Sequence, residues 1–286
     1  MRVLALSDLH VGHPDNRTSV AGIVGDPDAW LILGGDLGER PDHLSWTLDV
    51  LQPRFARVAW VPGNHELWTT DNGLRGEARY FDYIARCRER GVLTPEDPYE
   101  EIAPDLFLCC LFLLYDYSFG PEGFDAAASI AWAAEAGIIA QDERYLHSDP
   151  WASRAEWCAH RVTTTAARLA ALPANARTLL VNHWPLRRDL ARLPLVPRYV
   201  PWCGTTQSED WHVRFRAEVV VSGHLHVRAT DWRDGVRFEE VSLGYPRQWK
   251  PEIGAEGYVR QVWPATRPAP PGGHGGPIFP VLTPVR

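Results

Sequence analysis

The stretch Arg2-Val3-Leu4-Ala5-Leu6-Ser7-Asp8-Leu9-His10 places a short apolar run directly before an acidic residue and a histidine. A continuous apolar run of this length indicates a strand that is buried on both faces. Four later runs, at residues 30–33, 58–61, 178–181 and 218–221, have the same character and are also followed by polar residues. Helical stretches separate the first three runs, and this alternation predicts an α/β fold with parallel strands.

The polar residues that follow these runs are of types that bind metal ions. The carboxyl ends of parallel strands meet at one edge of a sheet, which is where ligand sites usually lie. Asp, His and Asn without Cys suit divalent manganese, iron, zinc or cobalt. Their number is sufficient for two ions, and a pair of ions indicates phosphate-ester hydrolysis. The five blocks are Asp8-Leu9-His10, Gly35-Asp36, Gly63-Asn64-His65-Glu66, Asn182-His183 and Gly223-His224-Leu225-His226.

The rest of the chain contains further helical and strand-like stretches. Helices are predicted near residues 42–51, 75–90 and 153–172, and within residues 125–137. Additional strands are predicted at residues 106–115, 236–243 and 258–262. The last two strands follow each other without a helix, which favours a more antiparallel arrangement after Gly223.

We expect one domain over residues 1–263 and a tail over residues 264–286. The first part of the tail, residues 264–276, is rich in Pro and Gly. Such a composition predicts an absence of regular structure.

Composition narrows the class of protein. The net charge is −7 over 286 residues, which disfavours broad nucleic-acid binding because that requires a basic face. The five cysteines show no Cys-x-x-Cys spacing, so we expect reduced thiols. The N-terminus shows no signal peptide, and the apolar runs are shorter than the ~20 residues that span a bilayer. We therefore expect a cytoplasmic protein that does not enter a membrane.

In this order, the five blocks resemble the calcineurin-like metallophosphoesterase superfamily over Asp8 to His226. The resemblance implies a four-layer α/β/β/α sandwich of two packed mixed sheets. It implies that Asp36 bridges two metal ions and that His65 donates a proton to the leaving oxygen. The first ion would be held by Asp8, His10, Asp36 and His226, and the second by Asp36, Asn64, His183 and His224.

These roles agree with elementary electrostatics. Two cations ~3.5–4 Å apart repel each other, and a shared carboxylate offsets that repulsion. Water held between two such ions loses a proton near neutral pH and becomes a nucleophile. An alkoxide is a poor leaving group unless it is protonated, which is the task expected of the His65 imidazolium.

A further likeness concerns Glu39 and Arg40. The serine/threonine phosphatase branch of the superfamily has an acid and an arginine at the matching positions, where the acid orients the catalytic histidine and the arginine binds phosphate. Here Glu replaces Asp and Pro41 replaces Gly. The alternative interpretation is that Glu39 and Arg40 are an ordinary surface acid and base.

Residues 184–212 form a Pro-rich segment between two predicted strands. It contains the candidate substrate residues Arg187, Arg188, Tyr199 and Trp202. One interpretation is a wall of the substrate pocket, because the segment begins at His183 and ends shortly before His224. The other is a surface loop whose Trp residues anchor it to the core.

The ligand types alone do not separate the possible substrates. We expect a phosphoesterase that acts on a small phosphomonoester. A phosphodiesterase, for cyclic nucleotides or other diesters, is the alternative on the same site. A non-catalytic metal-binding scaffold is less favoured, because all the expected positions of the motif are filled.

Overall fold

Two β-sheets face each other in the computed structural model, which describes residues 1–70, 72–266, 268 and 270–278. The strands are β1 Arg2–Leu6, β2 Asp26–Leu33, β3 Phe55–Trp60, β4 Glu100–Ala103, β5 Leu106–Cys110, β6 Arg177–Val181, β7 Ala217–Ser222, β8 Thr230–Arg233, β9 Val236–Glu240, β10 Arg260–Trp263 and β11 Gly275–Ile278. The helices are α1 Pro14–Ala21, α2 Pro41–Leu51, α3 Asn64–Leu67, α4 Gly76–Glu89, α5 Ala126–Ala134, α6 Asp142–Tyr145, α7 Arg154–Ala170 and α8 Trp211–Arg214.

Both sheets are mixed. The first has the order β10-β1-β2-β3 and the second has the order β11-β8-β9-β7-β6-β5-β4. Strands β1, β2 and β3 are parallel, as are β5, β6, β7 and β9, whereas β10, β4, β8 and β11 pair antiparallel with their neighbours. The prediction of a more antiparallel half after Gly223 is therefore correct for β8, β10 and β11, whereas β9 pairs antiparallel with β8 and parallel with β7.

Alternation along the strands explains the four layers. In β1, Val3 and Ala5 belong to the apolar cluster between the sheets, together with Val181 and Val221 of the second sheet. Leu6 belongs instead to the cluster that contains helical side chains. Successive side chains point to opposite faces of a strand, so each sheet packs on the other sheet with one face and on helices with the other. The predicted α/β/β/α sandwich is confirmed.

Two expectations about secondary structure require correction. The strand predicted at residues 106–115 ends at Cys110, although residues 111–115 stay buried. Residues 264–276 do not lack regular structure throughout, because Pro271–Gly273 is a 3₁₀ turn and β11 pairs with β8. A strand that contains Gly275 and Gly276 has no apolar pattern that would reveal it. Residues 279–286 of the predicted tail lie outside the described residues. All five cysteines are free and buried.

Candidate metal centre

The predicted ligands follow five strands; six lie in loops, and Asn64 is the first residue of α3. Asp8 and His10 follow β1, Asp36 follows β2, Asn64 follows β3, His183 follows β6, and His224 and His226 follow β7. Main-chain hydrogen bonds join these loops: the Asp8 amide donates to the Gly35 carbonyl at 2.9 Å and the Gly223 amide to the His183 carbonyl at 2.9 Å. The structure thus brings together residues that are up to 218 positions apart in the chain.

Five of the seven predicted ligands have a left-handed backbone. Their φ angles are 55° for Asp8, 43° for His10, 53° for Asp36, 71° for His224 and 55° for His226. This region costs a non-glycine residue of order 1–3 kcal/mol and is concentrated at functional sites. The surrounding fold therefore maintains an unfavourable local geometry that aims these side chains at one place.

The ligand atoms form two clusters. Atoms of Asp8, His10 and His226 lie within 4.8 Å of one another, as do atoms of Asp36, His183 and His224. Asn64 extends the second cluster, since its Oδ1 is 3.1 Å from His224 Nδ1. Apart from Asp36 in the first set, the two clusters contain the residues of the two predicted ligand sets, whose binding of ions stays a prediction.

Asp36 connects the two clusters. Its carboxylate also groups with His10 and His65, again within 4.8 Å. It lies 3.5 Å from His183 Nε2. This position between the clusters fits a carboxylate shared by two cations.

The hydrogen-bond pattern tests whether the residues fit metal ions. His183 Nε2, His224 Nε2 and His10 Nδ1 are buried and have no hydrogen-bond partner among the described residues. His10 Nε2 and His226 Nε2 face each other at 3.3 Å. Buried polar atoms in proteins are normally paired, and convergent imidazole nitrogens beside carboxylates suit a divalent cation. The residues present therefore fit two such ions.

Outer contacts orient the imidazoles. His183 Nδ1 donates to the Gly34 carbonyl at 2.8 Å, and His226 Nδ1 donates to Gln248 Oε1 at 2.8 Å. Each bond leaves Nε2 directed at the cluster, which is how outer contacts select the ligating nitrogen of a metal-bound histidine. Asp8 is held by the Ser242 hydroxyl at 2.7 Å.

The charges of the site follow from burial and close neighbours. Burial alone would raise the pKa of Asp36, but His65 and His183 hold it well below its ordinary value. Burial, with positive charge on His65, lowers the pKa of His10 to about 3, and burial beside His183 lowers the pKa of His224 to about 3. Burial alone would lower the pKa of His183 and His226, but Asp36 raises that of His183 to about 10 and Asp8 raises that of His226. Neutral imidazoles and ionised carboxylates are the forms that bind metals, so metal binding would release a proton from each of these two histidines.

His65 occupies a different position from the other histidines. Its Nδ1 donates to Glu39 Oε1 at 3.0 Å, while its Nε2 faces the cavity, 3.5 Å from the Tyr245 hydroxyl. Burial alone would lower the pKa of His65, but the charge of Asp36 and the hydrogen bond to Glu39 raise it to about 9. Glu39 therefore has the contact expected of an orienting acid.

A cavity of about 270 Å³ opens over these groups. Its polar floor comprises Asp36, Asn64, His65, His224 and His226. The rest of its lining comprises Leu193, Val196, Tyr199, Leu225, Tyr245 and Gln248. A larger cavity of about 620 Å³, beside Arg75 and Arg154, contains none of the predicted ligands, so size alone does not identify the site.

Four candidate substrate residues lie outside the lining of this cavity. Arg40 is exposed and pairs with Asp42 at 2.9 Å. Arg187 pairs with Asp189 at 2.8 Å, and Arg188 begins the 3₁₀ turn Arg188–Leu190. Trp202 is buried, and its indole donates to Glu143 at 2.7 Å. Arg187 and Arg188 contact Asp189 and Glu209 of their own segment and do not line the cavity. That either arginine reaches the phosphate stays a prediction without support from these contacts.

Residues 184–212 have features of both interpretations, the cavity wall and the surface loop anchored by Trp residues. Trp184, Trp202 and Trp211 are fully buried and anchor the segment to the core. Leu193, Val196 and Tyr199 line the cavity. Sequence reasoning missed Tyr245 and Gln248, although both follow β9 and the rule that polar residues after strands form sites would have found them.

Comparison with known proteins identifies the family. A model described as calcineurin-like phosphoesterase matches residues 1–228. The chain belongs to this family. It is therefore a metal-dependent hydrolase of phosphoric esters, as predicted, and its family uses divalent metal ions.

Two findings concern one relative. Acyl-carrier-protein phosphodiesterase PptH of Mycobacterium tuberculosis (strain ATCC 25618 / H37Rv) is 46% identical over 274 residues, which cover 93% of this chain and 84% of the relative. The crystal structure of phosphopantetheinyl hydrolase (PptH) from Mycobacterium tuberculosis matches with a TM-score of 0.88 and 45% identity, over 94% of this chain and 98% of that chain. In the described part of this phosphoesterase, the helices are too short or too polar to pass through a lipid bilayer.

Proposed function

We propose that this chain is a phosphodiesterase with two divalent cations, and that it hydrolyses the diester that joins a phosphopantetheinyl group to an acyl carrier protein. The substrate is taken from PptH, to which the chain is similar over nearly its whole length. Within this chain, the composition of the cavity supports a diester substrate over a monoester.

None of the described residues that line the cavity is Arg or Lys. A phosphomonoester carries two negative charges near neutral pH, and the second charge calls for a cation beyond the metals, usually a forked guanidinium. A diester carries one charge. The candidates for an additional cation, Arg40, Arg187 and Arg188, lie outside the cavity. The expectation of a small phosphomonoester is therefore supported less well than its diesterase alternative.

The apolar wall also suits a diester, because a second organic group must fit beside the metals. Leu193, Val196 and Leu225 offer apolar surface within the cavity. Leu195, between two of them in sequence, is 93% exposed. An exposed apolar side chain beside a pocket mouth favours a contact with a large substrate, and we propose that it faces the carrier protein.

The predicted ligands would hold the two cations in the two clusters described above. When bound, such a pair activates water and neutralises charge on the phosphate oxygens. Glu39 fixes the His65 ring through Nδ1, so Nε2 remains to donate a proton to the leaving oxygen. Trp68 stacks on the same ring, with centroids 3.7 Å apart, and limits its rotation. Tyr245 covers the opposite side of the pocket floor by stacking on His10 at 4.4 Å.

The test compares bis(p-nitrophenyl) phosphate with p-nitrophenyl phosphate, using metal-free protein with and without added Mn²⁺. We expect Mn²⁺-dependent hydrolysis that favours the diester at least tenfold in kcat/KM. A phosphopantetheinylated acyl carrier protein is then treated, and the loss of the phosphopantetheinyl mass is followed by intact-protein mass spectrometry. Preference for the monoester, or an unchanged carrier protein, would refute the corresponding part of the proposal.

A further inference from the structure

Asp142 is a fully buried carboxylate that belongs to none of the metal-binding motifs. It begins the short helix α6, far in sequence from the other residues of the site. Its Oδ1 accepts two hydrogen bonds: one from Asn64 Nδ2 at 3.0 Å and one from Trp68 Nε1 at 2.7 Å. Its Oδ2 has no hydrogen-bond partner among the described residues. One oxygen therefore makes both contacts.

The first contact fixes the orientation of Asn64. An amide has an oxygen that accepts and a nitrogen that donates, and the two ends exchange on rotation of the group. A carboxylate accepts only, so Asp142 selects the nitrogen end. The Asn64 oxygen then points away from Asp142, to within 3.1 Å of His224 Nδ1. This is the orientation that a metal ligand requires.

The second contact fixes Trp68. Its indole stacks on the His65 imidazole with an interplanar angle of 28° and a centroid distance of 3.7 Å. The hydrogen bond to Asp142 prevents the indole from sliding along that ring. Asn64 and His65 are neighbours in sequence, but their side chains have different tasks in the proposed function, and Asp142 restrains both.

We propose that Asp142 is a positioning residue that aligns the metal ligand Asn64 directly and the proton donor His65 through Trp68. This inference rests on the proposed function, because it requires those two roles. Asp142 acts by accepting hydrogen bonds through one oxygen, and its negative charge is not required. Loss of such an outer contact typically weakens metal affinity or activity 10–100-fold, and it leaves two buried N–H groups unpaired.

Three variants separate the two contacts. Asp142→Ala removes both. Asp142→Asn keeps a carbonyl oxygen that can accept both bonds and puts its amide nitrogen where Oδ2 has no partner. Trp68→Phe removes the indole N–H together with part of the ring system, and keeps one aromatic ring against His65. Glu143→Gln is the matched control, since Glu143 lies on the same helix but contacts Tyr117, Trp202 and Arg154 instead.

Calorimetric titration of metal-free protein with Mn²⁺ tests the contact between Asp142 and Asn64, because it measures the affinity of the metal sites. We expect Asp142→Ala to weaken one of two Mn²⁺ sites 10–100-fold, while Asp142→Asn, Trp68→Phe and Glu143→Gln stay within threefold of the wild type. Kinetics on aryl phosphodiesters test the contact between Asp142 and Trp68, through which His65 is positioned. We expect Trp68→Phe to lower kcat with little change in KM, and more strongly for phenol than for p-nitrophenol as the leaving group.

Two outcomes overturn the proposal. Unchanged Mn²⁺ affinity in Asp142→Ala means that Asn64 does not depend on Asp142. Loss of affinity in Asp142→Asn equal to that in Asp142→Ala means that the charge acts, not the hydrogen bonds. If Asp142→Ala does not fold, Asp142→Asn decides, because a tenfold loss in that variant refutes the mechanism. A wild type that binds no Mn²⁺ instead refutes the proposed function.

Discussion

Replacement of His65 by Ala tests the chemistry of the site directly. The substitution removes Nε2, the ring nitrogen that faces the cavity, and leaves the partly exposed Glu39 with His43, whose Nδ1 is 3.5 Å from Oε2 of Glu39. A single general acid contributes ~10²–10⁴-fold to the rate, which is about 2.7–5.4 kcal/mol at 1.36 kcal/mol for each factor of ten. Separately, loss of the ring contact with Trp68 lowers the free energy of unfolding by ~0.5–1.5 kcal/mol. We expect a folded protein with a low kcat.

The assay uses a series of aryl phosphodiesters whose leaving phenols differ in acidity. If His65 protonates the leaving oxygen, as proposed, His65→Ala should lose most activity on the poorest leaving groups and least on p-nitrophenol. The competing role for His65 is that of a ligand, since its ring also groups with His10 and Asp36 within 4.8 Å. Two Mn²⁺ ions should therefore remain bound to His65→Ala. An equal loss on every substrate, or loss of an ion, would refute the assignment of His65 as the acid.

Three further predictions concern the metals, the arginines and the rim. Asp36→Asn should disturb both ions, because its carboxylate lies between the clusters; two ions retained at full occupancy by elemental analysis would contradict this. Arg187→Ala and Arg188→Ala should each keep kcat/KM on bis(p-nitrophenyl) phosphate within threefold of the wild type. A larger loss would show that the arginine contributes to substrate binding or catalysis. Leu195→Ser should raise KM for the phosphopantetheinylated carrier protein at least threefold but leave the small diester unaffected; equal effects on both substrates would exclude a carrier contact.

The ligands could be predicted from sequence because their placement is a local property. Asp8 and His10 directly follow a strand, and the edge at which parallel strands end is shared. Glu39 was indicated by the resemblance to the serine/threonine phosphatase branch, and it does contact His65. A residue that reaches the site through a distant contact has no such signal. Asp142 is 78 positions from Asn64, and nothing in its own neighbourhood indicates the hydrogen bond that joins them.

The left-handed backbone of the predicted ligands could not be predicted from the sequence either. Asp8, His10 and His226 are types that tolerate positive φ, but their sequence does not require it. The conformation results from loops that are bonded to one another, as when the His10 amide donates to the Asp36 carbonyl at 3.0 Å. The amides of Asp36 and His226 are likewise bonded to Glu66 of α3 and Glu240 of β9. Partners distant in sequence therefore hold the strained residues, and the strain becomes visible only after the sheets have assembled.

Arg187 shows why closeness in sequence is a weak guide to the substrate site. It lies four residues after His183, yet its guanidinium contacts Asp189 and the Glu209 carbonyl within its own segment. That segment contains 3₁₀ turns, which have no apolar periodicity that would reveal which side chains face inward. The predicted metal ligands follow strand ends and could be found from the sequence, whereas Leu193, Val196 and Tyr199, which line the cavity, come from this irregular segment. If that lining selects the substrate, as proposed, substrate choice in this chain depends on the part of the sequence that patterns describe least.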